Sequence, residues 1–184
     1  MSGEAGTTTA PTIRVRRRYW RMLSPRWAHR PLSGEGAARH GGRYNEPGVP
    51  ALYMSEVFAT AVAEYEQEIG IRPGTLCAYD VEAQPIVDLT DQAALRAVGV
   101  TGSDLACPWK RIALIDKERP PTWDLASRLV AQGVAGVLTP SIRARRGVNL
   151  VLWRWNEDGP GSPRVVALDP LGDLPLDQSS WRDR

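Results

Sequence analysis

The chain has 184 residues, of which 42% are hydrophobic, and its formal net charge is +2. This length is enough for one domain with a buried core, and no apolar run reaches the roughly 20 residues that a membrane-spanning helix needs. The nearly balanced charge excludes a protein that attracts nucleic acid through its overall charge alone.

The first residues, MSGEAGTTTAP, are small and polar, and they lack the apolar segment of a secretory signal. We therefore expect a disordered tail over residues 1–12. The rest of the chain, residues 13–184, is expected to form one domain with its core at about 19–170.

The two cysteines, Cys77 and Cys107, stand far apart and show no zinc-type spacing with either histidine. They indicate reduced thiols. The expectation is therefore a cytoplasmic protein that holds no metal.

The first half of the chain predicts a strand, a glycine-rich loop, a second strand and a helix. RRRYWRML at residues 16–23 and VPALYM at 49–54 have strand character. Between them GEGAARHGGRYNEPG, residues 34–48, predicts a loop closed by a Pro-Gly turn. Ser55 is the expected N-cap of the helix, which Gly70 and Pro73 end. Its apolar residues share one face and are Val57, Phe58, Ala61, Val62, Tyr65 and Ile69.

The second half alternates short strands with single helices. The first helix has Thr90 or Asp91 as its cap, and the second has Thr122. The last two strands are expected to pair as a hairpin across NEDGPGSP. Together these elements predict a single α+β domain. The predicted strands are residues 75–83, 85–90, 134–141, 148–155 and 164–170, and the predicted helices are residues 91–98 and 120–133.

The glycine-rich loop matches neither standard phosphate-binding motif. A dinucleotide fingerprint needs a third glycine where Arg39 stands, and it opens a helix directly after a strand. A Walker loop that starts at Gly36 needs lysine in place of Gly42, and serine or threonine in place of Arg43. Glycine N–H groups and an arginine fork can still hold an anion. A phosphate-binding loop and an ordinary solvent loop therefore both remain open.

Two arginine clusters, at residues 14–18 and 143–146, leave a nucleic-acid-binding module as an alternative. Such a module predicts binding that weakens steeply with salt. Aromatic residues are not interleaved with the clusters as a stacking platform requires, which disfavours this alternative.

Four segments are informative in combination. They are YWRM at residues 19–22, LSGEGAARHGGRYNEPG at 32–48, ALYMSEVFATAVAE at 51–64 and TPSIRARRGVNLVLW at 139–153. This order resembles the RES-domain family of toxins: a Tyr-Arg type start, a Gly-Gly-Arg-Trp-Asn segment, a Tyr-x-Ser strand end, a helix with a glutamate, and a late Pro-Ser before an asparagine-bearing strand. The resemblance spans about Tyr19 to Trp155.

The chain departs from the family pattern at a few positions. Tyr44 replaces the usual tryptophan, and Trp20 stands where a tyrosine is common, so both positions keep an aromatic ring. The late loop is richer in arginine than the family pattern, with Arg143, Arg145 and Arg146.

The resemblance implies the toxin half of a bacterial toxin–antitoxin pair, with mixed β-sheets and flanking helices as in ADP-ribosyltransferases. It implies that NAD is the substrate, that the nicotinamide–ribose bond is cleaved by hydrolysis or by phosphorolysis with inorganic phosphate, and that no metal takes part. Transfer of ADP-ribose to a cellular protein is the enzymatic alternative, because it passes through the same ribosyl cation. The implied partner is an Xre-type helix-turn-helix antitoxin that occludes the active site in a hetero-oligomeric complex.

The resemblance also implies which residues act. Cleavage develops positive charge on the ribose, and a carboxylate fixed beside it stabilises that charge; Glu64 is the candidate. Arg21 and Arg43 are the candidates for holding the pyrophosphate or the ribose hydroxyls.

The remaining candidates contact the substrate in the same picture. Tyr53 stacks on nicotinamide or bonds the ribose. Ser141 bonds a phosphate or positions the attacking water or phosphate, without acting as a covalent nucleophile. Asn45 and Asn149 are supporting NAD-binding candidates.

Overall fold

The computed structural model describes residues 10–66, 70 and 72–179. Strands and helices alternate only in its first half, and the predicted alternation of the second half is replaced by a run of helices followed by three strands. The strands are β1 Ile13–Leu23, β2 Leu52–Ser55, β3 Thr75–Asp88, β4 Gly136–Pro140, β5 Val148–Leu152 and β6 Arg164–Ala167. The α-helices are α1 Glu35–His40, α2 Phe58–Glu66, α3 Gln92–Val98, α4 Gly102–Leu105, α5 Trp109–Arg111 and α6 Pro121–Ala131. A 3₁₀ turn covers Pro25–Trp27, and a π-helical turn covers Ile112–Asp116. The predicted α+β class is confirmed.

The strands form one sheet whose order is β1-β2-β5-β4-β3-β6, with an additional pairing between β1 and β3. That pairing closes the first five strands of the order into a ring. β1 runs antiparallel to β3 from Ile13 to Leu23, and its other edge meets β2 where Trp20 pairs with Ser55. The ring therefore brings β1 beside β2, next to the start of α2.

Two apolar cores lie on opposite faces of the strands, as the alternation along β5 shows. Leu150 and Leu152 belong to a core that also contains Tyr19 and Tyr79. Val151 belongs to the other core, which the strands share with α3 and α6. Successive side chains of a strand point to opposite faces, so one sheet serves both cores.

The last two strands do not form the predicted hairpin. β5 is already paired on one edge with β2 and on the other with β4, so it has no free edge for β6. β6 pairs instead with β3, and the predicted strands 75–83 and 85–90 are one continuous β3. Asn156 shapes the connection, because its side chain bonds both backbone groups of Val165 at 2.8 Å.

Two predicted helix caps are wrong and one is confirmed. Ser55 is the last residue of β2, and α2 begins at Phe58. Thr122 lies buried inside α6, whose N-cap is Pro120. Asp91 caps α3 as predicted, since its carboxylate accepts the Ala94 N–H at 2.9 Å. The predicted end of α2 falls partly on residues 67–69 and 71, which lie outside the described residues.

The glycine-rich segment is not a plain loop, because residues 35–40 form α1. Most of the predicted N-terminal tail, residues 1–9, lies outside the described residues. Ala10 is buried, and its N–H donates to Gln132 Oε1 at 3.3 Å.

Candidate active site

Glu64 is half-buried on α2, beside the carboxyl end of β4 and the start of β5. Its Oε1 accepts hydrogen bonds from the Ser141 hydroxyl and from Asn149 Nδ2, each at 2.7 Å. Among the described residues no hydrogen bond to Oε2 is recorded. The carboxylate is thus fixed through one oxygen, and the other can meet a ligand.

The direction of the Ser141 hydroxyl follows from its own neighbours. Its oxygen accepts the backbone N–H groups of Arg143 at 3.1 Å and Ala144 at 2.9 Å. Because these N–H groups occupy the oxygen's acceptor sites, the hydroxyl proton is left for Glu64. The loop that follows Ser141 is closed by Ser141 N, which donates to Gly147 O at 2.8 Å.

Ser55, on the neighbouring strand, sets the orientation of the Asn149 side-chain amide. The two residues are cross-strand partners in β2 and β5, and the Ser55 hydroxyl donates to Asn149 Oδ1 at 2.7 Å. With its carbonyl engaged, Asn149 presents its NH₂ group to Glu64. Sequence reasoning missed this role, although a serine that ends the apolar run of VPALYM was a signal.

A cavity of about 210 Å³ opens beside Glu64, between β1 and α2. Trp20, on its wall, meets Phe58 edge-on with ring centroids 6.1 Å apart. Phe58 and Val57 belong to the predicted apolar stripe, and they are 57% and 49% exposed. The cavity is lined by Trp20, Arg21, Met22, Tyr53, Met54, Ser55, Ala61, Glu64, Tyr65 and Asn149.

Arg21 lies on the β1 side of this cavity. Its Nη1 donates to the carbonyls of Pro31 at 3.3 Å and Ser33 at 3.2 Å, and burial lowers the pKa of the guanidinium. No carboxylate among the described residues forms an ion pair with it. A half-buried guanidinium without a carboxylate counter-ion favours binding of an anion.

Arg43 is turned away from this group of side chains. Its Nη1 donates to the carbonyls of Leu105 at 2.8 Å and Cys107 at 2.7 Å, and it does not line the cavity. The structure therefore brings Glu64, Ser141, Asn149, Arg21 and Tyr53 to one region and leaves Arg43 outside the cavity wall.

Asn45 and Tyr53 fasten the glycine-rich segment. Asn45 is buried, and its Nδ2 donates to the carbonyls of Ala37 at 2.9 Å and Val49 at 2.8 Å. The Tyr53 hydroxyl donates to Asn45 Oδ1 at 2.7 Å, and burial raises the pKa of this phenol. A Cβ at Gly42 would lie 2.4 Å from that hydroxyl, so glycine is needed there for close packing.

Three glycine N–H groups of this segment have partners within the segment. Gly41 N donates to Ala37 O, Gly42 N to Asn45 O and Gly48 N to Ala38 O, at 2.7–2.8 Å. Donors used in this way do not form a phosphate cradle. The sequence left two alternatives, a phosphate-binding loop and an ordinary solvent loop. The packing of the segment disfavours the phosphate-binding loop.

The arginines of the first half of β1, at residues 14–18, are matched by acidic side chains. Arg14 pairs with Glu82, while Arg17 meets Glu56 at 2.7 Å and Arg18 meets Asp80 at 2.9 Å. These pairs line or flank an open depression that contains none of the predicted site residues. Paired charges give little attraction for a phosphate backbone, which weighs against the nucleic-acid alternative.

Within residues 10–66, 70 and 72–179, no helix combines the length and the apolar character needed to cross a bilayer. The same residues contain no group of three or more His, Cys, Asp and Glu side chains that could hold a metal ion.

The closed sheet and the carboxylate-centred cavity define a RES-domain protein. The family model for the RES domain matches residues 18–177, and the chain belongs to this family.

Mycobacterial proteins are among those similar to this chain in sequence and in structure. The chain is 36% identical over 90 residues to the NAD(+) phosphorylase MbcT of Mycobacterium tuberculosis strain H37Rv, and equally to that of Mycobacterium bovis. The match covers 42% of this chain and 48% of each relative, so the chain spans about half the length of these curated relatives. The structure is also similar to the crystal structure of the M. tuberculosis MbcT–MbcA toxin–antitoxin complex, with a TM-score of 0.61 and 25% identity over 86% of this chain and 87% of that chain.

Proposed function

We propose that this protein is a toxin that consumes NAD by phosphorolysis of the nicotinamide–ribose bond. The observation that carries the proposal is the Glu64 carboxylate, held by Ser141 and Asn149 at a cavity that Arg21 also lines. Membership of the RES family supports it, as does similarity to proteins named NAD(+) phosphorylase.

The chemistry follows from where charge develops. As the bond between nicotinamide and the ribose breaks, its electron pair leaves with nicotinamide, which departs as a neutral molecule. The ribose carbon becomes cationic, as in glycoside cleavage. The free oxygen of Glu64 faces that cation or accepts a bond from a ribose hydroxyl, and its two fixed donors hold it in place beforehand.

Arg21 supplies the charge that the substrate needs at its other end. Its guanidinium can pair with the diphosphate of NAD in a planar, two-pronged contact. The aromatic side chains of Trp20, Tyr53 and Tyr65 give the cavity walls on which the nicotinamide ring packs. Inorganic phosphate then bonds to the ribose carbon and gives ADP-ribose 1″-phosphate.

We also propose that an antitoxin of the Xre type covers this cavity. A similar fold is found in a toxin–antitoxin complex, and Val57 and Phe58 leave apolar surface exposed beside Trp20. Exposed apolar patches of this kind mark protein interfaces. A purified complex with the antitoxin is expected to turn over NAD far more slowly than the free chain.

The test is to incubate the protein with NAD, with and without inorganic phosphate, and to identify the products by mass spectrometry. We expect nicotinamide release that depends on phosphate, together with ADP-ribose 1″-phosphate. Release of ADP-ribose that does not depend on phosphate would show that the reaction is hydrolysis and not phosphorolysis. Label from NAD on a protein would favour ADP-ribose transfer, and no nicotinamide release would overturn the proposal.

A further inference from the structure

A second cavity adjoins the first at Arg21 and Met22, which line both. Its volume is about 160 Å³, and its other walls include Trp27, Arg30 and Ser33. Pockets for drug-sized ligands usually measure about 300–1,000 Å³, so neither cavity alone can hold a dinucleotide with two nucleoside halves. Two small cavities that share one arginine suit a ligand with two parts joined by an anionic link.

Trp27 gives the second cavity an aromatic wall in a defined position. It ends the 3₁₀ turn Pro25–Trp27, where its N–H donates to Ser24 O at 2.9 Å and its carbonyl accepts the Arg30 N–H at 3.0 Å. The guanidinium of Arg39 lies 5.4 Å from the indole centroid. An aromatic ring fixed in this way offers a π-face on which a nucleobase can stack.

The charges around the second cavity single out Arg21 as its anion-binding group. Arg30 and Arg39 both bond to the carboxylate of Glu35, so one acidic side chain already neutralises part of their charge. Arg21 donates to the carbonyls of Pro31 and Ser33, and no carboxylate among the described residues forms an ion pair with it to balance its charge. A diphosphate located between the two cavities would supply that balance.

We propose that the second cavity binds the adenosine half of NAD, with adenine against Trp27 and the diphosphate at Arg21. The nicotinamide–ribose half then lies in the first cavity beside Glu64. This inference rests on the proposed function, since it takes NAD as the substrate, and it makes Trp27 a residue that governs affinity and not bond cleavage.

The test measures binding of the two halves separately. ADP carries the adenosine and the diphosphate, and nicotinamide mononucleotide carries the other half; each is titrated into the full chain by calorimetry. Trp27→Leu is expected to weaken ADP binding by about tenfold or more, as loss of one base–aromatic stack does, and to leave the affinity for nicotinamide mononucleotide within twofold. Trp109→Leu is the matched control, because Trp109 packs against Trp123 and lines neither cavity.

The outcomes separate this inference from the proposed function. If the parent protein does not bind ADP, or if Trp27→Leu binds ADP as well as the parent does, the inference is overturned. Equal loss of both ligands would also overturn it, because it would show a general structural defect. ADP binding that depends on Trp27 in a protein that releases no nicotinamide from NAD would leave the adenosine site standing and remove the proposed activity.

Discussion

Two asparagines that were both candidates for NAD binding have different surroundings. Asn149 is set by Ser55 so that its NH₂ group meets Glu64. Asn45 is buried, and its side chain donates to three backbone carbonyls and accepts the hydroxyl of Tyr53. Asn149 therefore orients the Glu64 carboxylate, whereas Asn45 fastens the glycine-rich segment. Removal of the two side chains is expected to have different effects.

Ser55→Ala is expected to lower the kcat for nicotinamide release by about tenfold, which is about 1.4 kcal/mol. Without the hydroxyl, the Asn149 amide is free to turn its carbonyl towards Glu64, and the carboxylate then loses one of its two fixed donors. Arg21, Tyr53 and Tyr65 line the same cavity and are unchanged in this variant.

The conservative variant Ser55→Thr keeps the hydroxyl and should restore kcat. Steady-state kinetics of nicotinamide release measure the loss in Ser55→Ala and the rescue in Ser55→Thr. A Ser55→Ala enzyme with the parent's rate would show that Ser55 does not position Asn149.

Asn45→Ala is expected to lower the free energy of unfolding by about 2–4 kcal/mol, because several buried partners lose their hydrogen bonds together. Urea unfolding followed by circular dichroism measures this change. Asn149→Ala serves for comparison. It should lower the free energy of unfolding less than Asn45→Ala does, and it should lower the rate of nicotinamide release more. A loss below about 0.5 kcal/mol for Asn45→Ala, the range of ordinary surface substitutions, would rule out its fastening role.

At the scale of elements, α2 is held from both sides. Phe58 packs on Trp20 of β1, and Gly147 of the loop between β4 and β5 packs on the buried Thr60. A Cβ at Gly147 would lie 2.8 Å from Thr60 side-chain atoms. Only glycine lets this loop approach α2 closely enough for Ser141 to reach Glu64.

Gly147→Ala should push the loop away from α2 and lower nicotinamide release by about tenfold or more, since it weakens a hydrogen bond to a charged group. Gly102→Ala is the control, because a Cβ at Gly102, at the start of α4, meets nothing within 4 Å. Turnover and melting temperature are measured for both variants. Equal turnover of the two variants would contradict this account of the loop.

The elements that the sequence predicted well are those that a local pattern defines. α6 has an apolar face at helical spacing, and it is present where the pattern predicted it. The strand predicted at residues 16–23 is also present, although β1 begins at Ile13. The hairpin of the last two strands failed because pairing depends on which edges are already occupied, and β2 and β4 occupy both edges of β5. Residue spacing along the chain does not contain that information.

The site residues also fall into those that the sequence identified and those that only the fold reveals. Glu64, Ser141 and Asn149 were named through family resemblance, and the structure brings them within hydrogen-bond distance. Ser55 and Trp27 were not named as site residues, because their positions depend on the register between β2 and β5 and on a turn after β1. Arg43 was named as a ligand-binding group, yet its guanidinium donates to the carbonyls of Leu105 and Cys107, at and just after the end of α4.

At the scale of the whole molecule, the closed sheet buries tyrosines on both of its faces. Burial raises the pKa of Tyr44 to about 12, although its hydroxyl bonds to Thr139. Burial also raises the pKa of Tyr19, Tyr53 and Tyr79 above the usual value. The folded state thus keeps these phenols protonated more strongly than the unfolded chain does.

The pH dependence of stability follows from this shift. The stabilisation is fully present below about pH 10, where unfolded tyrosine keeps its proton, and it is lost as the pH rises from there through the folded pKa values. We expect a melting temperature that is steady up to about pH 9 and falls between about pH 10 and 12. Tyr44→Phe should make that fall shallower. Equal melting temperatures at pH 8.5 and 11.5 would exclude the effect.

We propose that the Glu64 carboxylate stabilises the ribosyl cation. The most direct measurement compares nicotinamide release from NAD by the parent, by Glu64→Gln and by Glu66→Gln, which changes a glutamate on the same helix that does not line the cavity. We predict that Glu64→Gln is slower by at least about 100-fold, as expected for loss of preorganised electrostatic stabilisation, and that Glu66→Gln matches the parent. Release of nicotinamide by folded Glu64→Gln at the parent's rate would contradict the account.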